Sequence, residues 1–132
     1  MKIAVIYWSG TGNTEAMARF IAEGAGEELY EVSSAPDDLS SYDKVAFGCP
    51  AMGAEELEDT AFEPYFSNIE PQLANKNVAI FGSYGWGDGE WIRSWKERLI
   101  LDKAIVFGDG LMACGEGDPS ECKAFGADFA KV

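Results

Sequence analysis

Three short runs in this chain are apolar from end to end: Ile3-Ala4-Val5-Ile6-Tyr7, Val45-Ala46-Phe47-Gly48-Cys49 and Val78-Ala79-Ile80-Phe81-Gly82. A strand with one wet face alternates apolar and polar residues; a strand covered on both faces does not. Each run leads into a loop, and each loop into a stretch with helical spacing. Strands buried on both faces and separated by helices define a parallel sheet between two helical layers.

The remaining elements fit that frame. Residues 28–32 form a short, ragged strand suited to a sheet edge. Ala104-Ile105-Val106-Phe107 is a strand that breaks at Gly108-Asp109-Gly110 and resumes over residues 111–113. A helix over residues 13–23 places Met17, Phe20, Ile21 and Gly24 on one face, with Gly24 and Gly26 as its stop. A second, over residues 61–70, aligns Phe62, Tyr65, Phe66 and Ile69, with Pro64 tolerated in its first turn. A third, over residues 89–101, buries Ile92, Trp95 and Leu99. The last opens at Asp118-Pro119-Ser120-Glu121, with Asp as cap and Pro at the first position. It turns Cys122, Phe125, Gly126 and Phe129 inward. The expected fold is α/β: a doubly wound five-stranded parallel sheet with helices on both faces, in one domain over residues 1–132. Such sheets bind ligands beyond the carboxyl ends of their strands. That rule brings together the loops at residues 9–14, 50–58 and 83–89.

The first loop reads Ser9-Gly10-Thr11-Gly12-Asn13-Thr14. It offers backbone N–H groups, three hydroxyls and the positive end of a helix dipole, a combination that binds phosphate. It has no Lys or Arg, so neutral donors must hold the anion. A nucleoside-triphosphatase loop needs Gly-Lys-Ser/Thr, and Asn13-Thr14-Glu15 stands there instead. A dinucleotide fingerprint needs a third glycine, and Glu15 takes its place. An ordinary turn between strand and helix is the alternative for this segment.

Composition narrows the chemistry further. The chain has no histidine, and its three cysteines, Cys49, Cys114 and Cys122, are far apart. Imidazole catalysis is excluded, and the spacing is not that of a zinc or iron–sulfur site. With 23 acidic against 10 basic residues, the net charge is −13. Nucleic acid and anionic membranes are poor partners for such a chain; basic protein surfaces are good ones. No apolar run approaches the roughly 20 residues of a membrane span. Met1-Lys2 runs straight into a strand without a leader pattern, so a cytoplasmic location and no membrane insertion are expected.

The other two loops carry different groups. One is Pro50-Ala51-Met52-Gly53-Ala54-Glu55; the other is Ser83-Tyr84-Gly85-Trp86-Gly87-Asp88-Gly89. Met52 and Trp86 are large apolar side chains on glycine-flanked loops, able to sandwich a flat ring. Glu55 can accept a hydrogen bond at that ring's edge. Singly, Met52 reads equally well as core filler and Trp86 as a surface aromatic. Beside a phosphate loop, together, they suggest a flat phosphorylated cofactor.

Taken together, these segments resemble the flavodoxins. Trp8-Ser9-Gly10-Thr11-Gly12-Asn13-Thr14-Glu15 is similar to their phosphate loop. Gly48-Cys49-Pro50-Ala51-Met52-Gly53, with Glu55 following, and Phe81-Gly82-Ser83-Tyr84-Gly85-Trp86-Gly87-Asp88-Gly89 resemble the two flavin loops of the short-chain clostridial type. The resemblance implies non-covalent FMN, bound by Ser9, Gly10, Thr11, Gly12, Asn13 and Thr14 at its phosphate. It implies Met52 on the inner face of the flavin and Trp86 on the outer. It gives Glu55 the flavin N3–H and the backbone around Gly85 the pyrimidine carbonyls. Pro50, Ala51, Gly53, Ala54, Ser83, Tyr84 and Gly87 complete the cofactor-binding set; no metal and no catalytic residue is expected. The Gly53 carbonyl would accept a hydrogen bond from flavin N5–H once the flavin is half reduced. Ala54, Pro50 and the segment 113–117 depart from the family pattern, which leaves the third flank of the flavin without an expected contact.

The implied function is that of a monomeric, low-potential one-electron carrier using the semiquinone/hydroquinone couple between redox enzymes. The alternative is an FMN-dependent quinone or NAD(P)H reductase on the same fold. Acids cluster after the flavin loops: Glu55, Glu56, Glu58, Asp59 and Glu63, then Asp88 and Glu90. A carboxylate about 10 Å from an added electron costs roughly 0.8 kcal/mol at an effective dielectric of about 40. Several of them make the reduced protein a stronger reductant and turn an acidic rim towards basic partners.

Overall fold

A computed structural model describes every residue except Met1, Thr11, Glu27, Ala54, Glu55, Trp86 and Glu116. The strands are β1 (Ile3–Tyr7), β2 (Glu28–Glu31), β3 (Lys44–Gly48), β4 (Asn77–Tyr84), β5 (Ile105–Val106) and β6 (Leu111–Cys114). The α-helices are α1 (Asn13–Ala25), α2 (Phe62–Ile69), α3 (Glu90–Leu101) and α4 (Pro119–Lys131). All strand pairs are parallel, in the order β2-β1-β3-β4-β5, with β6 also paired to β4. The expected fifth strand is thus present in two pieces. Residue 105 lies beside Asn77, and residues 111–114 lie beside Phe81–Tyr84. The break falls at Gly108 and Gly110, whose φ values of 59° and 86° turn the chain out of the sheet and back.

The apolar strands serve two cores at once. Ala4, Ile6, Val45, Phe47, Val78 and Ile80 face α2 and α3, where Phe62, Phe66 and Trp95 pack on them. Their neighbours in sequence, Val5, Ala46, Ala79 and Phe81 among them, face α1 and α4 with Met17, Ile21 and Phe129. Side chains alternate along a strand, so a run that is apolar at every position feeds both layers. The ragged β2 sits at an edge, as its pattern implies.

Gly24 has a different role from the one its position in sequence suggests. It lies inside α1, which runs on to Ala25 and ends at Gly26 with φ 73°. A Cβ on Gly24 would stand 2.0 Å from the Lys123 carbonyl oxygen, and one on Gly126 would stand 2.1 Å from that of Ile21. The two glycines let α1 and α4 touch backbone to backbone. At the opposite end of the sheet from the loops, the buried Lys44 ammonium donates to the Phe129 and Ala130 carbonyls, at 3.0 and 2.9 Å. A cation there satisfies carbonyls that the end of α4 leaves unpaired.

Helices α2 and α3 are joined by Arg98, which forms paired bonds to Glu63 at 2.7 and 2.8 Å and to Glu70 at 2.9 and 2.8 Å. Asp102, which follows α3, keeps a buried Oδ2 without a partner among the described residues. Burial first, and then the neighbouring Glu70 carboxylate, push its carboxyl up to about 6. A raised carboxyl pKa means that the folded chain holds the proton more tightly than the unfolded one. The stability this confers is complete below the unfolded value near 4 and is lost as the pH rises through about 6. Asp102→Asn is therefore expected to raise the melting temperature at pH 7.5 and to give little gain at pH 4, measured by thermal denaturation across that range.

Candidate functional site

Beyond the carboxyl ends of the strands lies a cleft of about 480 Å³. Its walls are Trp8, Gly10 and Asn13 from the loop after β1, Pro50, Ala51 and Met52 from the loop after β3, and Ser83, Tyr84 and Gly85 from the end of β4. Cys114 and Gly115, at the end of β6, close the remaining side. The volume suits a small-molecule cofactor, and such clefts fall in the range of roughly 300–1,000 Å³.

The first loop is shaped for an anion. Ser9 Oγ accepts the Gly12 N–H at 3.0 Å, which folds the loop back on itself. Gly12 stands before α1 with φ 99°, a left-handed conformation that favours glycine. Its carbonyl accepts the Ala16 N–H at 3.0 Å. Among the described residues, no side chain caps α1. The first N–H groups of that helix and the positive end of its dipole therefore remain available to a ligand. Gly10 lies under the Trp8 ring, where a Cβ would come within 3.1 Å of it.

The second loop is a tight turn clamped at its base. Met52 and Glu56 exchange both backbone hydrogen bonds, each 2.9 Å long. Between them Gly53 has φ 45°, and a Cβ there would meet nothing within 4 Å, so conformation alone favours glycine. Met52 is 37% exposed on the cleft wall, not buried in the core. On the third loop, Gly87 has φ 89° and lies beyond the cleft wall. Behind these loops, the Trp91 indole N–H donates to the Cys49 carbonyl at 3.0 Å. Gly82 makes room for that carbonyl, since a Cβ would sit 2.2 Å from its oxygen.

Of the residues assigned to the cofactor from sequence, Gly10, Asn13, Pro50, Ala51, Met52, Ser83, Tyr84 and Gly85 line one cleft. Ser9 and Gly12 shape the loop. Thr14 is buried and turns its hydroxyl to Ser83. Thr11, Ala54, Glu55 and Trp86 lie outside the described residues. Sequence reasoning missed Trp8 as a wall residue; it set the segment 113–117 at the third flank of the flavin without an expected contact, and Cys114 and Gly115 of that segment line the wall. The resumed half of the fifth strand brings them there, because it ends level with the loops. Cys49, by contrast, is fully buried, and burial pushes its thiol up to about 12. Among the described residues, no group of acidic, Cys or His side chains could hold a metal ion.

The acidic rim is smaller than the sequence suggests. Glu58 is 4% exposed, and its carboxylate accepts the Thr60, Ala61 and Phe62 N–H groups at 2.8, 2.8 and 2.7 Å, together with the Thr60 hydroxyl. Burial works to raise its pKa, but the Thr60 hydroxyl and the three N–H groups outweigh it and hold the carboxyl below the usual range. Glu58 thus supports the start of α2, and Glu63 is taken by Arg98. Glu56, Asp59, Asp88 and Glu90 remain exposed, with Asp88 paired to Arg93 at 3.1 Å.

The fold and the cleft define a doubly wound flavin-type domain, and the comparisons agree. The family model described as flavodoxin matches residues 5–126, and the chain belongs to the flavodoxin family of FMN-binding electron carriers. It is 44% identical to a flavodoxin of Megasphaera elsdenii, over 98% of this chain and 99% of that one. It is 40% identical to a flavodoxin of Clostridium beijerinckii, over 97% and 99%. The solution structure of two-electron reduced Megasphaera elsdenii flavodoxin superposes with a TM-score of 0.87 over 98% of this chain and 99% of that one. Flavodoxins are themselves a standard instance of the rule that places ligands at the carboxyl ends of such sheets.

The caps and the rim separate in experiment. Glu58→Gln is expected to lower stability by about 1–2 kcal/mol, because an amide cannot accept all four bonds. Glu56→Gln is expected to change it by less than about 0.5 kcal/mol. Chemical denaturation of the two variants checks both.

Proposed function

We propose that FMN lies in this cleft with its phosphate at the amino end of α1, and that the protein carries single electrons at low potential between redox enzymes. The observation that supports this most is the uncapped α1 terminus opening, through Gly12, onto a cleft walled by loops from four strands. When bound, FMN supplies a centre that gains and loses electrons one at a time. The residues do the rest. Ser9 and Gly12 hold the loop so that neutral N–H donors face the phosphate. Met52 and Tyr84 cover apolar surface and exclude water; by the resemblance, Trp86 would cover the outer face and Glu55 would fix the ring's edge. By the same resemblance, the Gly53 carbonyl would accept a hydrogen bond from flavin N5–H. The relatives are flavodoxins by name, so a quinone or nicotinamide reductase is not favoured.

Binding should be stoichiometric, and stepwise anaerobic reduction of the bound protein should pass through a distinct one-electron stage in its absorption spectrum. Reduction in a single two-electron step would overturn the carrier reading. Gly53 is the sensitive position. A β-branched residue at positive φ costs about 1–2 kcal/mol. Gly53→Thr is accordingly expected to lower the first reduction potential by tens of millivolts, read by redox titration.

The exposed acids at Glu56, Asp59, Asp88 and Glu90 support docking to basic partner surfaces, with the protein acting as a monomer in the cytoplasm. Electron transfer to a basic c-type cytochrome should slow steeply with added salt and on Glu56→Gln with Asp59→Asn. Salt-independent second-order rates would show that the acidity serves solubility alone.

A further inference from the structure

Two tryptophans one turn apart on α3 are both in the core, Trp91 at 1% and Trp95 at 2% exposure, and they use their indole N–H groups differently. Trp95 Nε1 has no partner among the described residues, and its ring packs at right angles to Phe62 and Phe66, with centroids 5.4 and 5.8 Å away. Trp91 Nε1 donates to the Cys49 carbonyl at 3.0 Å. That carbonyl stands in line with the ladder between β3 and β4. The Cys49 N–H donates to the Phe81 carbonyl at 3.1 Å, and the Ala51 N–H to the Ser83 carbonyl at 3.0 Å. Between those two rungs a regular parallel pair carries another, from the Ser83 N–H to the Cys49 carbonyl. Here that rung is missing. The Ser83 N–H donates instead to Thr14 Oγ1 at 3.4 Å, and the indole takes the carbonyl. Gly82 gives the displaced carbonyl its space. The gap opens onto the cleft, because Pro50 and Ser83 on its two sides both line the wall.

We propose that Trp91 is a positioning residue for the cofactor: its indole N–H holds the Cys49 carbonyl out of the ladder and so keeps the Pro50–Met52 segment spread from β4. The inference rests on the FMN reading given above. Trp91 is not on the cleft wall, so it acts through Cys49. Cys49 is fully buried, and a buried carbonyl without a donor bears the whole cost of its desolvation. Once the indole is gone, the donor that the ladder supplies is the Ser83 N–H, whose present bond is long. The rung then closes, draws Pro50 onto Ser83 and narrows the cleft. Packing alone does not call for the indole bond, since Trp95 fills the same core with its N–H unpaired. The Trp91 ring also backs Tyr84 on the cleft wall, 5.8 Å between centroids, a contact that a phenylalanine keeps.

The test compares Trp91→Phe with Trp95→Phe, because both remove an indole from one core and only the first removes a donor to the loop. Dissociation constants for FMN, from quenching of flavin fluorescence, are expected to rise roughly 10-fold for Trp91→Phe and less than about threefold for Trp95→Phe. Scalar couplings across hydrogen bonds, measured by NMR on the cofactor-free proteins, read the ladder directly. The wild-type Cys49 carbonyl carbon should couple to the Trp91 indole nitrogen and not to the Ser83 amide; in Trp91→Phe it should couple to the Ser83 amide. Equal FMN affinity in the two variants, or a Trp91→Phe protein that loses FMN without gaining the Ser83 rung, would overturn the proposal. Should Trp91→Phe fail to fold, Gly82→Ala presses on the same carbonyl and should weaken FMN as well. Unchanged affinity in that variant, or wild-type protein without the indole coupling, overturns the proposal too. Wild-type protein that binds no FMN would overturn the cofactor reading instead, and the Ser83 rung would still decide whether Trp91 holds the ladder open.

Discussion

Ser83 is where the site is held together. Its side chain meets Thr14 at the start of α1, its N–H points to the same oxygen, and its carbonyl takes the Ala51 N–H from the loop after β3. One residue at the end of a central strand thus fastens the start of α1 and the Met52 loop to the sheet. The loops themselves are irregular and half exposed, and loops of that kind are mobile unless they are tied down. Two of these ties use backbone groups on a strand buried on both faces, so they inherit the rigidity of the core. A cofactor entering the cleft meets walls already in place and does not bear the entropy of ordering them.

Much of this was legible because the signals are local. A run of five residues that is apolar at every position and bounded by turn signals fits a strand covered twice, and the three such runs place the sheet. Gly12, Gly53 and Gly87 all adopt positive φ, as their places in turns imply. What the sequence hid depends on what stands opposite. Gly24 reads as a helix stop, because nothing near it in the chain reveals that the Lys123 carbonyl will press against it. Glu58 reads as one acid among many, because its role depends on the turn that brings three N–H groups around its carboxylate. Cys114 and Gly115 reach the cleft only because the fifth strand, after its break, resumes beside the far half of β4.

The reassignment of Glu58 and Glu63 changes the electrostatic picture as well as the structural one. A carboxylate surrounded by N–H donors or locked to a guanidinium projects a weaker field than a solvated one. The net charge of −13 therefore overstates what a partner feels near the cleft. The surface that remains is more local: Glu56 and Asp59 follow the turn after β3 and Glu90 opens α3, while Asp88 shares its charge with Arg93. An approaching cationic patch is then steered towards these carboxylates, which orients the encounter as well as accelerating it.

The contact between α1 and α4 has a mechanical side. Where Gly24 meets the Lys123 backbone, no side chain separates the two helices, so their axes cannot slide or tilt without a steric collision. That fulcrum lies near the far end of α1, about 16 Å along the axis from Asn13 at 1.5 Å per residue. A tilt of about 5° at the glycines would swing the anion-facing tip by more than about 1 Å. Hydrogen bonds tolerate only a few tenths of an ångström of such movement before they weaken. The aim of the binding loop is thus set by a pivot on the far side of the molecule, and substitutions at that remote crossing can detune the site without touching it.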